Sequence, residues 1–248
     1  MKFTPLACCT LTLLPLAMPA PATANDQFKL LAHNVFFLPS TLKPGWGQET
    51  RARLIAQADY MKGQDAVILN ELFDNPAAAI LLDGLKHEYP HQTPVLGRSR
   101  NGWDATLGAY AETTPEDGGV AIVSRWPIVE RIQYVYAQGC GADYLSNKGF
   151  VYVRLDRNGQ PLHVIGTHAQ AADTGCPDGK GTAVRASQFD EMRMQAGMPP
   201  PPPPAESDAG FTEEELTDQL AEIGSTDSAR ASLISNVVNN FDAADTNE

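Results

Sequence analysis

Six consecutive prolines, Pro199–Pro204, constrain this chain of 248 residues more than any other feature of its sequence. Proline has a fixed φ and no backbone N–H, so such a run fits neither a helix interior nor the middle of a sheet. It forms instead an extended polyproline II segment, which acts as a stiff spacer. We therefore expect a domain over residues 25–195, a linker over 196–210 and a separate tail over 211–248.

The domain and the tail differ in charge. The chain has a formal net charge of −12 at pH 7, and residues 194–248 carry eleven Asp or Glu against one Arg. Proteins that bind nucleic acid through its phosphates usually present a basic surface. The composition therefore disfavours a nucleic-acid partner.

The first residues have the pattern of a secretory signal peptide. Lys2 precedes an apolar stretch over residues 6–18, and Ala22-Thr23-Ala24 provides a small-residue cleavage site. We expect residues 1–24 to be removed and the protein to be secreted, to the periplasm or the medium. No other stretch is long and apolar enough for a transmembrane span.

Two cysteines, Cys140 and Cys176, remain after the signal peptide. Exported proteins meet an oxidising environment, where an even pair of cysteines typically forms a disulfide. Metal binding by this pair is the weaker alternative, since no second Cys or His lies at ligand spacing. We expect one disulfide between them.

Apolar runs of strand length alternate with helical patterns between residues 28 and 194. The predicted strands cover residues 28–35, 66–69, 118–124, 131–136, 149–155 and 162–167, with a hairpin turn at 157–159. The predicted helices cover residues 51–62, a segment that opens at Asn75-Pro76, and residues 184–194. Residues 91–117 are rich in loop formers. Strands in succession with few helices between them predict two stacked sheets with helices outside, an α+β sandwich.

The ends of these strands carry the candidate chemistry. Asn34 and Glu71 end the first two strands, Asp117 precedes the third, and His168 follows the last. Each has an ordinary alternative, such as a turn former, a surface ion pair or a structural histidine. Taken together they describe an oxygen-rich cleft that suits Mg²⁺, which accepts one or two carboxylates beside water and phosphate oxygens. The reaction class implied is metal-assisted hydrolysis of a phosphate ester.

Five stretches carry a resemblance to a known family: "HNVFFLP", "LNELFDN", "DGGVAIVSRWPI", "GCGADYLSNKGFVYVRL" and "HVIGTHAQAAD". They resemble the bacterial neutral sphingomyelinases, which are sphingomyelin phosphodiesterases of the phospholipase C type. These belong to the endonuclease/exonuclease/phosphatase superfamily. The resemblance runs from about Phe28 to Met192 and implies a four-layer α/β/β/α deoxyribonuclease-like sandwich.

The resemblance also implies roles for single residues. Glu71 would be the principal ligand of Mg²⁺ or another divalent cation, with Asn34 close to the metal and to the substrate phosphate. His168 would hydrogen-bond the phosphate and steady the transition state. The residues that would shape the metal site and the headgroup pocket or support the cleft are Phe73, Asn75 and Asp117. Cys140 and Cys176 would form the disulfide of the family.

The implied activity is hydrolysis of sphingomyelin in a membrane to ceramide and phosphocholine. Two later motifs of the family, Gly-Asp-x-Asn and a Ser-Asp-His whose histidine is the general base, have no counterpart in these residues. We therefore expect an incomplete, C-terminally truncated domain with an open sheet edge and impaired activity. The alternatives are a nuclease or phosphatase of the same superfamily, or a non-catalytic binding protein.

The tail resembles the segment that precedes the calcium loop in small bacterial EF-hand proteins. Thr212 and Glu215 form a capping box for a first short helix, and residues 228–241 predict a second. Asp245-Thr246-Asn247 would start the loop, but a calcium ion needs six to eight oxygen ligands. We therefore expect two acidic helices and no calcium binding in this copy.

Overall fold

Two four-stranded sheets lie at the centre of the computed structural model, which describes residues 27–177 and 179–197. The strands are β1 (Leu30–Asn34), β2 (Ala66–Asn70), β3 (His91–Gln92), β4 (Ala105–Gly108), β5 (Ala121–Ser124), β6 (Ile128–Val135), β7 (Gly149–Arg157) and β8 (Gln160–Thr167). The helices are α1 (Gln48–Gln57), α2 (Asn75–Leu85) and α3 (Lys180–Gln195), and short 3₁₀ turns cover Asp59–Met61 and Gly141–Leu145.

The two sheets have different connections. The first has the order β1-β2-β5-β3, and β1 runs parallel to β2 with Asn34 opposite Asn70. The second has the order β4-β6-β7-β8, in which β6, β7 and β8 are antiparallel neighbours. Asn158 and Gly159 both have positive φ, 55° and 84°, as a tight hairpin turn between β7 and β8 requires. The predicted hairpin is confirmed.

Alternating side chains of the strands build three apolar layers. Val67 and Leu69 of β2 face α1 and α2, whereas Ile68 between them faces the second sheet. On that second sheet Val151 and Val153 of β7 face inward. The opposite face of the second sheet contributes a smaller cluster that packs against α3 through Met192. Strand side chains point alternately to the two faces of a sheet. The buried runs noted in the sequence therefore supply both the layer against α1 and α2 and the layer between the two sheets.

This arrangement confirms the predicted α/β/β/α sandwich. Most predicted elements are present within a few residues, although α1 starts at Gln48 and ends at Gln57, with a 3₁₀ turn in place of its predicted last turn. Two strands were not predicted, β3 and β4, which are two and four residues long and lie in the loop-rich stretch. They pair with β5 and β6, so distant partners rather than a local pattern determine them.

Several expectations concern segments that the structure does not describe. The signal peptide, most of the proline linker and the acidic tail lie in residues 1–26 and 198–248 and stay predictions. Within the described residues, no helix is both long and apolar enough to span a membrane.

The two sheets approach closely where Gly166 of β8 faces Ile68 of β2. A Cβ atom at Gly166 would lie 2.7 Å from Cγ2 of Ile68, which is a buried methyl group of the inter-sheet layer. We expect Gly166→Ala to lower the free energy of unfolding by about 1–3 kcal/mol, because the core has no room for the added methyl group. Urea denaturation followed by circular dichroism measures this change.

Gly181→Ala is the matched control. Gly181 lies in α3, and the nearest atoms to an added Cβ are 4.0 Å away. Alanine is also the better helix former, so this variant should be as stable as the wild type or more stable. Equal stability of the two variants would contradict the close approach of the sheets at Gly166.

Candidate active site

The candidate site lies where β1, β2 and β8 end. Parallel pairing of β1 and β2 places Asn34 opposite Asn70, so Glu71 follows directly beside Asn34. His168 follows Thr167, the last residue of β8, and its backbone N–H donates to the carbonyl of Gly149 at 3.1 Å. Three residues that are far apart in the sequence therefore meet at one edge of the sandwich.

Glu71 and Asn34 are joined by a hydrogen bond. The Nδ2 group of Asn34 donates to Oε1 of Glu71 at 2.8 Å, while Oδ1 of Asn34 accepts from the backbone N–H of Phe36 at 3.0 Å. Glu71 has a φ of 62°, in the left-handed region that residues other than Gly and Asn seldom adopt. This turn ends the strand, and the Glu71 carbonyl then accepts from the N–H of Phe37 at 3.0 Å.

His168 lies beside the same carboxylate. Its Nε2 atom is 3.8 Å from Oε1 of Glu71, and both side chains are only 14% exposed. The ring of Phe73 covers the imidazole, with 5.6 Å between the ring centroids. Gly119, with a φ of 68°, leaves room for the Phe73 ring, because a Cβ there would lie 2.8 Å from it.

Burial sets the protonation of both groups. Desolvation raises the pKa of Glu71, and the Asn34 hydrogen bond and the charge of Lys148 partly oppose this rise. Desolvation and then the charge of Lys148 hold the pKa of His168 well below its ordinary value. His168 is therefore a neutral imidazole at pH 7, and its contact with Glu71 is not an ion pair.

Lys148 and Asp143 form a buried ion pair that the sequence analysis missed. Nζ of Lys148 lies 2.7 Å from Oδ1 of Asp143, and the Lys148 side chain is 6% exposed. Asp143 also accepts from the N–H of Ala171, three residues beyond His168, at 2.8 Å. The signal for Lys148 was its place in "SNKGF", directly before the buried strand β7, because a lysine there must be paired.

Asp117 is connected to the loop after Glu71 through Arg98. It is buried, and its carboxylate pairs with Nε of Arg98 at 2.8 Å. Arg98 in turn donates to the carbonyl of Leu72 at 3.0 Å, directly after Glu71. Burial raises the pKa of Asp117, and the charge of Arg98 opposes this rise. The structure thus connects Asp117 to the backbone of the loop rather than to the Glu71 carboxylate.

Asn75 lies outside this group of contacts. It is the exposed first residue of α2, whose N-cap is Asp74; the Asp74 carboxylate accepts from the N–H of Ala77 at 3.1 Å. Among the described residues no hydrogen bond joins Asn75 to Glu71. A role for Asn75 at the site stays a prediction.

The predicted disulfide between Cys140 and Cys176 is confirmed. Gln170, which the sequence analysis did not single out as a structural clamp, holds the first cysteine on both sides. Its Oε1 accepts from the Cys140 N–H at 2.8 Å, and its Nε2 donates to the Cys140 carbonyl at 3.2 Å. The segment after His168 is thereby fixed to the loop that carries Asp143.

The donor set suits a cation that takes few protein ligands. Oε2 of Glu71 is buried and has no hydrogen-bond partner among the described residues, so a polar ligand at this oxygen would relieve a cost. No three His, Cys, Asp or Glu side chains within residues 27–177 and 179–197 are grouped to hold a metal by themselves. A single carboxylate fits Mg²⁺, which takes one or two carboxylates and completes its coordination with water and phosphate oxygens.

The profile of the endonuclease/exonuclease/phosphatase family matches residues 31–229, most of the chain. This chain belongs to that family. The chain is 58% identical over 170 residues to a sphingomyelinase C of Bacillus cereus, which covers 68% of this chain and 51% of that protein. It is 54% identical over 168 residues to a phospholipase C of Staphylococcus aureus, with 68% and 51% covered.

Solved structures give the same result. A beta toxin double mutant from Staphylococcus aureus, solved with bound magnesium ions, superposes with a TM-score of 0.67 at 52% identity, covering 69% of this chain and 60% of that chain. A sphingomyelinase C from Streptomyces griseocarneus gives 0.66 at 50% identity, with 69% and 60% covered. The resemblance to bacterial sphingomyelinases and the fold class are confirmed. The chain spans about half the length of the curated relatives it matches.

The burial of Glu71 predicts that its charge destabilises the metal-free protein. With divalent cations removed, we expect Glu71→Gln to raise the free energy of unfolding at pH 7 by about 1 kcal/mol, because glutamine retains the acceptor for Asn34 without a buried charge. The penalty in the wild type is absent below the ordinary pKa of a glutamate. It grows as pH rises and is complete above the raised pKa of Glu71.

Urea denaturation in EDTA at a series of pH values tests this difference. Glu49→Gln is the control, because Glu49 is an exposed carboxylate in the first turn of α1. A gain of stability in Glu71→Gln that does not shrink as pH falls would show that the buried charge is not its cause.

Proposed function

We propose that this chain is a secreted, Mg²⁺-dependent phosphodiesterase that hydrolyses sphingomyelin to ceramide and phosphocholine. The observation that carries the proposal is the buried Oε2 of Glu71, which has no partner among the described residues, next to Asn34 and a neutral His168. The 58% identity of this chain to a sphingomyelinase C over 170 residues supports the choice of substrate.

Glu71 would hold the ion, and Asn34 would keep the carboxylate in place. Bound Mg²⁺ supplies polarisation of a phosphoryl oxygen and neutralisation of negative charge. The hydrogen bond from Asn34 engages Oε1, which would leave Oε2 for the ion. Since Glu71 follows a fully buried strand, its position is set by the first sheet and not by a mobile loop.

His168 and Lys148 would act on the phosphate. A neutral imidazole donates one N–H, and Nε2 of His168 lies 3.8 Å from Oε1 of Glu71, so it would be within reach of a phosphate bound to an ion held by Glu71. Lys148 contributes a nearly buried positive charge, which favours an anion in the cleft. Phe73 keeps water from the imidazole by covering its ring.

None of these residues is well suited to take a proton from the attacking water. His168 accepts a proton weakly, because its pKa is well below the ordinary value. We therefore propose that His168 binds the phosphate and does not act as the general base.

The disulfide and the predicted signal peptide support export from the cell, since disulfides persist in oxidising compartments. An exported enzyme of this kind would meet sphingomyelin in the membranes of other cells. The acidic net charge of −12 disfavours the alternative substrate, nucleic acid, although the family includes nucleases.

Release of phosphocholine from sphingomyelin vesicles tests the function. We expect Mg²⁺-dependent release that EDTA abolishes, with a loss of at least about 100-fold in Glu71→Ala and in His168→Ala. Glu49→Ala, which removes an exposed carboxylate of α1, should retain the wild-type rate.

Two results would exclude the proposal. Release by the wild type no faster than by Glu71→Ala would favour a non-catalytic binding protein. Cleavage of plasmid DNA or of phosphate monoesters without phosphocholine release would favour another member of the family.

A further inference from the structure

Residues 36–47, here called the aromatic loop, connect β1 to α1 and carry three large apolar side chains that face solvent. Phe36 is 43% exposed, Leu42 73% and Trp46 42%. The rings of Phe36 and Trp46 stack with 5.5 Å between their centroids. Exposed apolar residues that form a contiguous patch mark an interaction surface more often than scattered ones do.

The aromatic loop is held rigidly in this exposed arrangement. Gln48, which is buried, donates to the carbonyls of Leu38 at 3.0 Å and Lys43 at 2.9 Å. The N–H of Ser40 donates to Asp74 at 2.8 Å, and Arg51 donates to the carbonyl of Phe36 at 3.0 Å. Internal bonds that fix a loop without burying its aromatic rings leave those rings available to a partner.

The loop is continuous with the candidate active site. The N–H of Phe36 donates to Oδ1 of Asn34, and Nδ2 of the same amide donates to Glu71. A ligand bound at Glu71 therefore lies two hydrogen bonds from the Phe36 backbone. A surface that presents that ligand therefore lies next to the start of the aromatic loop.

The chemistry of the loop fits the surface of a bilayer. Nζ of Lys43 lies 5.0 Å from the centroid of the Trp46 ring, so a cation and an indole share one position in a chain of net charge −12. Trp is enriched at membrane interfaces, where its ring lies at the depth of the headgroups. The Lys43 ammonium complements lipid phosphates at the same depth.

A second exposed apolar pair lies near the segment that follows His168. Tyr144 and Leu145, 74% and 53% exposed, follow Asp143, whose carboxylate accepts from the N–H of Ala171, three residues beyond His168. The segment after Asn34 and the segment near His168 thus both present apolar side chains to solvent. This distribution of exposed apolar side chains fits a site whose substrate lies in a bilayer.

We propose that the aromatic loop docks this protein on a bilayer of phosphocholine lipids, with Trp46 as its anchor and Lys43 on the lipid phosphates. The inference rests on the proposed function, because a lipid headgroup reaches Glu71 only when the site lies against the membrane. It assigns membrane contact to the aromatic loop, whose residues differ from those proposed to hold the phosphate.

Co-sedimentation with sucrose-loaded phosphatidylcholine vesicles in EDTA tests the surface without hydrolysis. We expect the full chain to bind, and Trp46→Ala to lower its partition coefficient about tenfold, as loss of one buried aromatic ring should. Leu42→Ser should weaken binding in the same direction. Leu54→Ser is the control, because Leu54 is 65% exposed on α1 and outside the loop.

Circular dichroism and urea denaturation should show that Trp46→Ala folds as the wild type does, since its ring is only partly buried. A short-chain, water-soluble sphingomyelin separates docking from chemistry. Trp46→Ala should hydrolyse it at the wild-type rate but release phosphocholine from vesicles about tenfold more slowly.

Three results would overturn the inference. They are no binding of the wild type to the vesicles, equal binding by Trp46→Ala, and dimers that depend on Trp46, which would assign the loop to a second copy of the chain. Vesicle binding without any hydrolysis would refute the proposed function and leave the docking surface intact. Hydrolysis with binding that does not depend on Trp46 would do the reverse.

Discussion

The site depends on the parallel pairing of β1 with β2. Because both strands point the same way, Asn34 and Glu71 emerge side by side at one edge of the sheet, and the hydrogen bond between their side chains follows from that register. The second sheet contributes His168 through β8, which faces β2 across the inter-sheet layer. A shift of β1 by one residue would move Asn34 to the other face and separate it from Glu71.

Electrostatics around this pairing favours a ligand that contains both a cation and an anion. Burial makes the Glu71 charge costly and keeps His168 neutral, while Lys148 adds a positive charge that its pairing with Asp143 balances. A divalent cation with a phosphate satisfies all of these groups at once. The aromatic loop and the cleft are then two parts of one surface, because Asn34 contacts both.

The fold, and the meeting of Asn34, Glu71 and His168 at one edge, could be predicted because both depend on local patterns of strand-length apolar runs. Strand-length apolar runs that end in Asn34, Glu71 and His168 placed these side chains at one edge. Strand β4 could not be predicted, because its pairing with β6 and not its own four residues defines it. Lys148 was missed, and the role of Gln170 was not foreseen, for a related reason: their partners, Asp143 and the Cys140 backbone, come into reach only in the folded protein.

The backbone at Glu71 has a consequence for how the position can vary. Its left-handed φ of 62° suits glycine or asparagine, and a longer side chain costs on the order of 1 kcal/mol there. Selection for thermal stability alone would remove the glutamate, since both its backbone and its buried charge oppose folding. Random substitution followed by a screen for heat resistance should therefore favour replacement of this glutamate, whereas a screen for the proposed activity should retain it at the cost of a less stable scaffold.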